Sequence, residues 1–212
     1  MKVWDLPTRI YHWLQALLFI GLAASGFNGK GPHIYLGLAL FTLIMWRIVW
    51  GFIGSDTSRF KQFITSPKRT VLYLLGKEPS KVGHNPAGSW MVIGLISTLF
   101  IQCITGIALA GLFDHITYAD IVLNDHVFDV FVTLHEICAR LLPALVILHL
   151  IAILFYKLRS KPLVWTMISG VQKQLTENQA SSNLIFISNK RALLVLIATG
   201  LVTIAIVVSA GV

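Results

Sequence analysis

The sequence predicts an all-α integral membrane protein: a four-helix transmembrane bundle followed by a fifth, C-terminal transmembrane helix. Of its 212 residues, 56% are hydrophobic and only 12% are charged. Charged residues usually make up about a quarter of a soluble domain, so this composition indicates a chain that lies in lipid. A spanning helix needs about 20 apolar residues, which leaves room for four or five spans and for no second globular domain.

Five apolar segments are each long enough to cross a membrane. Four of them belong to a predicted bundle domain at residues 1–170, a polar linker that we expect to be cytoplasmic occupies 171–191, and the last span lies within 192–212. The spans are predicted at about 10–27, 34–53, 89–112, 128–156 and 192–211.

Two shorter helices are predicted at the membrane surface. Ser66 is a suitable N-cap, Pro67 suits the first helical position and Gly76 suits the position just past the end. The leucines and cationic edge of this segment fit the headgroup zone. Residues 162–168 predict a second interfacial helix before the linker.

The distribution of the net charge of +8 predicts the orientation. Lysines and arginines concentrate between the second and third spans and between the fourth and fifth. The opposite loops carry only Lys30 on one side and Asp114, Asp120 and Asp125 on the other. By the positive-inside rule the N-terminus is cytoplasmic and the C-terminus lies outside. The basic residues then face anionic lipid headgroups, which disfavours nucleic acid as a partner.

Two further classes are disfavoured. Cys103 and Cys138 both lie within apolar segments, which argues against a disulfide-stapled secreted fold. The first apolar segment is open to interpretation as a cleaved signal peptide, but Asp5 and Pro7 crowd its charged region and the apolar run is long enough to span. Cleavage would also remove His12.

Four of the seven histidines lie in or at the ends of predicted spans, where an ionisable side chain is costly and indicates function. With alternating spans, His12 and His149 lie near the cytoplasmic face, whereas His33 and His135 lie near the outer face. Fourteen residues separate His135 from His149, which corresponds to about 21 Å along a helix and about 40° of rotation. The two imidazoles therefore face one side at two depths.

Two histidine pairs, one above the other, suit two bis-histidine haems of the b type, because each iron takes one neutral imidazole from either side. A single membrane histidine is better explained as a hydrogen-bond partner between helices, but four that pair by depth favour haem. A zinc site would gather its four ligands at one point. A proton-relay transporter would have more Asp and Glu within its spans.

Glycines and arginines complete the predicted cofactor site. Gly37, Gly94 and Gly106 would let a macrocycle approach the backbone, although plain helix packing explains them equally well. Arginines are candidate partners for the haem propionates. Each also has a simpler interpretation: Arg9 and Arg47 reaching toward the headgroups, and Arg140 pairing with Glu136 one turn away. The arginine candidates are Arg9, Arg47 and Arg140.

Several motifs occur in order along the first four spans. They are Trp-Asp-Leu-Pro-Thr-Arg-Ile-Tyr-His-Trp at 4–13, His-Ile-Tyr-Leu-Gly at 33–37, Arg-Ile-Val-Trp-Gly-Phe at 47–52, Gly-His-Asn-Pro-Ala-Gly at 83–88, and the fourth-span pair of His135 and His149. In these motifs the sequence resembles the bacterial cytochrome b561 and nickel-iron hydrogenase cytochrome b subunit family, over about residues 3–170.

The resemblance implies a four-helix core holding two haem b groups, an extra terminal helix, and a multi-pass location in the bacterial inner membrane. Carried over position by position, the family's haem ligands fall on His12, His33, His135 and His149. It also implies electron transfer between the quinone pool and a periplasmic redox protein, such as a hydrogenase or a c-type cytochrome. It does not choose between these partners.

The leading hypothesis is therefore a dihaem cytochrome b that carries electrons across the membrane in a respiratory chain. The haem iron performs the redox step, so no catalytic side chain is predicted. Two alternatives stay open: a self-sufficient quinol oxidoreductase, and a haem-free membrane anchor or transporter.

Overall fold

The computed structural model describes residues 1–28, 31–78, 82–115, 119, 123–160, 162–172 and 183–211. The regular secondary structure of these ranges is helical, apart from an isolated β-bridge between Lys2 and Val171. In chain order the helices are α1 (Leu6–Asn28), α2 (His33–Ile53), α3 (Phe60–Phe63), α4 (Pro67–Leu74), α5 (Pro86–Leu109), α6 (Asp125–Leu158), α7 (Leu163–Ser169) and α8 (Asn189–Ser209), with a short 3₁₀ turn at Asp56–Ser58 before α3.

Five of these helices are long and apolar enough to cross a membrane, namely α1, α2, α5, α6 and α8. The predicted all-α fold class with five candidate spans is therefore confirmed. The division into a domain at 1–170, a linker and a final span stays a prediction, and residues 173–182 of that linker lie outside the described ranges.

The helix ends follow the sequence signals. The Oγ of Ser66 accepts a hydrogen bond from the amide of Arg69 at 3.4 Å, and α4 begins at Pro67 as predicted. The third span ends at Leu109, three residues before the predicted end at 112. Gly111 adopts a positive φ of 71° there, and the amide of Leu112 bonds back to the carbonyl of Ile107 at 3.2 Å. This left-handed glycine cap ends the helix early.

The long helices pack as a bundle around α2 and α5. Helix α2 contacts α1, α5 and α8, and α6 lies along α5. The buried core between them is apolar, with residues such as Leu40, Ile44 and Leu99 almost fully covered. Helix α8 is fixed to the outside of α2, where the indole Nε1 of Trp46 donates to the carbonyl of Ala192 at 3.0 Å.

A folded layer covers the bundle at the C-terminal end of α2. We call it the end layer; it comprises residues 1–8, 54–63 and 163–172. The hydroxyl of Thr57 donates to the carbonyl of Val3 at 2.7 Å, and the hydroxyls of Thr8 and Ser58 share a hydrogen bond of 2.7 Å. The amide of Val3 donates to the carbonyl of Gly170 at 2.8 Å. The end layer therefore ties the chain start to both connections at that end.

Candidate functional site

The four membrane histidines form two neighbouring pairs at two levels of the bundle. His33 opens α2 and His135 lies on α6, and the two are close enough to interact electrostatically. His12 on α1 and His149 on α6 are likewise electrostatic neighbours. Helix α6 runs without interruption from one level to the other. Both pairs match those inferred from depth along the sequence.

A cavity of about 550 Å³ lies at the level of His33 and His135, and both histidines line it. This volume is within the range of pockets that hold cofactors and other small molecules. Helices α1, α2, α5 and α6 all contribute to its wall. The wall is mostly apolar, with a few polar groups that include Ser25 and Gln102.

The three predicted glycines differ in what surrounds them. A side chain placed on Gly37, which lines the cavity, would meet no atom within 4 Å. Gly94 also faces open space, although it does not line this cavity. A Cβ on Gly106 would lie 3.0 Å from Cε1 of His135. The absence of a side chain at Gly106 therefore leaves the space that the imidazole ring occupies. Gly37 thus leaves room beside the histidines that a larger residue would fill.

Two hydroxyl groups lie within hydrogen-bond distance of the imidazoles at this level. Neither of them was identified from the sequence. The Oγ of Ser25 lies 3.0 Å from Nδ1 of His33, and the Oγ1 of Thr105 lies 3.0 Å from Nδ1 of His135. The side-chain amide nitrogen of Gln102 lies 3.0 Å from the other nitrogen of His135, Nε2. Nothing in the sequence distinguishes these serine, threonine and glutamine residues from others in the spans.

The second level is built differently. The Nδ1 of His12 is buried and has no hydrogen-bond partner in the described part of the chain. Its ring meets the ring of Trp13 edge-on, with centroids 5.1 Å apart. Both His12 and His149 are half-buried. The imidazole of His12 is thus held by packing, without the hydroxyl that each histidine of the other level has.

Arg47 does not reach toward the headgroups, because its side chain is buried. The residue is only 3% exposed, and the guanidinium carbon lies 5.1 Å from the centre of the Phe60 ring in the end layer. It interacts electrostatically with Tyr11 and Asp5, but its Nη1 and the hydroxyl of Tyr11 both lack a hydrogen-bond partner among the described residues. A buried cation with free donors remains at this end of the bundle.

The other two arginines have different surroundings. The Nη1 of Arg9 donates to the carbonyl of Ser169 at 2.8 Å and so ties α1 to the end of α7. Arg140 and Glu136 are both exposed, and the predicted ion pair between them is wrong: within the described ranges the ion pairs are those of Arg59 with Asp56 and of Arg69 with Glu78.

His84, in the loop before α5, is packed into the end layer. Its ring lies 4.7 Å from the Trp4 ring and 4.3 Å from the Phe63 ring, measured between centroids. Burial, followed by the positive charge of Arg47, lowers the pKa of His84 to about 3. The imidazole is therefore neutral at physiological pH.

Residues 3–170, most of the chain, match the family model for prokaryotic cytochrome b561. The chain belongs to the prokaryotic cytochrome b561 family. Membership of the cytochrome b561 family implies a b-type haem and electron transfer. It also agrees with the resemblance carried by the ordered sequence motifs.

Curated relatives of this cytochrome b561 family member are named as probable hydrogenase cytochrome subunits. The probable Ni/Fe-hydrogenase 1 B-type cytochrome subunit of Escherichia coli (strain K12) is 25% identical, and the alignment covers 55% of this chain and 62% of that protein. The probable Ni/Fe-hydrogenase B-type cytochrome subunit of Bradyrhizobium diazoefficiens is 28% identical, with 50% and 56% covered. The chain thus spans about six-tenths of these relatives. No solved structure matches it.

Proposed function

We propose that this protein is a dihaem b-type cytochrome that carries electrons across the bacterial inner membrane, between the quinone pool and a periplasmic redox protein. One observation carries the proposal: four membrane histidines form two neighbouring pairs at two levels. At one level the pair lines a cavity of about 550 Å³ with open space beside Gly37. The donor set and the space fit a bis-histidine haem b.

In this proposal His12 and His149 ligate one haem, and His33 and His135 ligate the other. Bound haem b supplies one-electron oxidation and reduction, and the chain supplies ligation, orientation and exclusion of water. Helix α6 provides one imidazole to each level, about 21 Å apart along its axis. A four-helix core thus holds both redox centres between the membrane faces.

Arg47 is the strongest of the three arginine candidates for a propionate partner. It is buried, and its Nη1 has no acceptor among the described residues, so a carboxylate there would neutralise an otherwise unpaired charge. The hydroxyl of Tyr11 is a second free donor in the same place. Arg9 is less buried and already donates from Nη1 to a carbonyl, although its Nε has no partner among the described residues. Arg140 is exposed and leaves α6 on the side opposite to His149.

Charge supports an orientation with the N-terminus cytoplasmic and the C-terminus periplasmic. The end layer and α4 belong to the lysine- and arginine-rich side of the chain, whereas the connection between α5 and α6 has aspartates and no lysine or arginine. In this orientation the pair of His12 and His149 lies toward the cytoplasm. Fusions of alkaline phosphatase to the C-terminus should be active and fusions to the connection between α2 and α5 inactive; the reverse pattern would contradict the orientation.

The names of the relatives suggest the partner. Both proteins described above are named hydrogenase B-type cytochrome subunits, and we propose a periplasmic hydrogenase as the donor or acceptor at the His33 level, with a c-type cytochrome as the other candidate. The chain is then an electron-carrier subunit rather than a self-sufficient enzyme. Rapid turnover of quinol with a small oxidant, by the purified chain without a partner, would instead support a quinol oxidoreductase.

The first experiment is a dithionite-reduced minus oxidised visible spectrum of the purified protein, with haem quantified per chain as the pyridine haemochrome. Two low-spin b haems per chain are expected. His12→Ala and His149→Ala should remove one haem, and His33→Ala and His135→Ala the other. His126→Ala is the control, because His126 is exposed at the start of α6. A colourless preparation from haem-replete cells would support a haem-free anchor or transporter and overturn the proposal.

A further inference from the structure

His33 and His135, which line the cavity, each have a hydroxyl group of a neighbouring helix within hydrogen-bond distance of Nδ1. Ser25 lies near the end of α1, and its Oγ is 3.0 Å from Nδ1 of His33. Thr105 lies in the last part of α5, and its Oγ1 is 3.0 Å from Nδ1 of His135. Ser25 is 7% exposed and Thr105 is 2% exposed, so water does not compete freely for either contact.

The direction of each hydrogen bond follows from a second contact of the hydroxyl, with a backbone carbonyl of its own helix. The Oγ of Ser25 donates to the carbonyl of Leu22 at 3.2 Å, and the Oγ1 of Thr105 donates to the carbonyl of Ile101 at 2.8 Å. A hydroxyl has one proton, and a carbonyl oxygen accepts only. With each hydroxyl proton on its carbonyl, the hydroxyl oxygen accepts from the histidine, which then donates from Nδ1. Each imidazole then carries its lone pair on Nε2.

The contact of Gln102 agrees with this assignment. Its side-chain amide nitrogen lies 3.0 Å from Nε2 of His135, and an amide N–H donates only to a lone pair. The Oε1 of the same side chain is buried and has no hydrogen-bond partner in the described part of the chain. Nε2 of His135 is thus the nitrogen that would bind a metal once the Gln102 amide moved aside, and Nδ1 faces the hydroxyl of Thr105.

We propose that Ser25 and Thr105 are positioning residues for the haem of the His33/His135 level, which fix the imidazole tautomer and lower that haem's midpoint potential by accepting hydrogen bonds from Nδ1. The proposal rests on the proposed haem ligation. An acceptor on Nδ1–H makes the imidazole a more basic ligand, and a more basic ligand favours the ferric state. At the other level, Nδ1 of His12 has no such acceptor among the described residues.

The test is a redox titration of purified Ser25→Ala, Thr105→Val and the double variant, each with its two haems quantified. One of the two midpoint potentials should move to a more positive value while the other stays unchanged, with a larger shift in the double variant. The electron paramagnetic resonance signal of the same ferric haem should change with it. Thr105→Ser, which keeps the hydroxyl, should restore the wild-type potential.

Thr98→Val is the matched control. Thr98 lies on the same helix, is buried, and donates to the carbonyl of Gly94 at 2.8 Å in the same way, but within the described residues its hydroxyl forms no hydrogen bond to a histidine. Its variant should keep both potentials. If Thr105→Val loses a haem, Thr105→Ser must restore that haem; a loss that serine does not restore overturns the inference.

The outcomes also separate this inference from the proposed function. Two haems with unchanged potentials and resonance signals in the double variant would overturn the role of Ser25 and Thr105 and leave haem ligation standing. A wild-type protein without haem would overturn both.

Discussion

The hydroxyl groups of Thr42 on α2 and Thr203 on α8 lie 2.7 Å apart. They join the fifth long helix to the bundle at mid-height, whereas Trp46 and Ala192 join it nearer one end. Neither threonine lines the cavity of the histidine pair. The contact therefore fixes α8 without contributing to the cavity of His33 and His135.

Replacing Thr203 with Val should weaken the attachment of α8 while leaving the haem spectrum unchanged. Hydrogen bonds between membrane helices are worth about 0.6 kcal/mol on average, so the unfolding free energy in mixed micelles should fall by about that amount. Thr42→Val should have a similar effect, and the double variant should cost less than the two single changes together. Thr199→Val is the control, because the hydroxyl bonds that Thr199 makes to described residues stay within α8. Full additivity would contradict the contact.

Gly37→Leu should remove one haem and leave the other. A Cβ at this position meets open space in the cavity wall, so a leucine side chain would extend into the cavity and occupy the space that the proposed haem needs. Gly200→Leu is the matched control, because Gly200 lies on α8 and also meets no atom within 4 Å. Haem per chain and thermal stability would be measured for both. Retention of both haems in Gly37→Leu would show that the cavity is not a haem site.

Arg47→Gln should weaken retention of the haem at the His12/His149 level and lower its midpoint potential. A buried positive charge favours the electron-rich ferrous state, and its removal reverses that preference. Arg140→Gln, which changes an exposed arginine, should leave both potentials unchanged. Equal potentials in wild type and Arg47→Gln would place Arg47 away from both haems.

Acid should destabilise the protein through His84. Its pKa is about 3 in the folded chain against 6.5 when unperturbed, so between these values the unfolded chain binds the extra proton. Stability therefore falls as the pH decreases from 6.5 toward 3, by a few kcal/mol in total. In His84→Gln the part of this pH dependence of stability that is due to His84 should be absent. Thermal unfolding measured across this range would test it, with His126→Gln, at an exposed histidine, as the control; identical slopes in wild type and His84→Gln would contradict the assignment.

The sequence alone was enough to predict how many long helices the chain has and which histidines are neighbours. Both follow from rules that depend on few residues: the length of an apolar segment, and the depth reached by a regular helix. His135 and His149 share α6, so their separation is fixed by counting. Only the alternation of spans was needed to match them with His33 and His12.

The rest depended on tertiary contacts that leave no local signal. Ser25 and Thr105 look like ordinary small polar residues that bond back to their own helix, and nothing nearby marks the histidine that each one meets. Arg47 is near a helix end, where a long cationic side chain usually extends to the headgroups. It is buried because residues 54–63 fold back and place the Phe60 ring over its guanidinium.

The uninterrupted course of α6 through both levels restricts what changes the protein can accept. Loss of α1 or α2 would remove one histidine of a single pair, whereas loss of α6 would remove one from each. One residue inserted between His135 and His149 would turn one imidazole by about 100° away from its partner. The fourteen-residue interval therefore cannot change by a single residue without separating one pair.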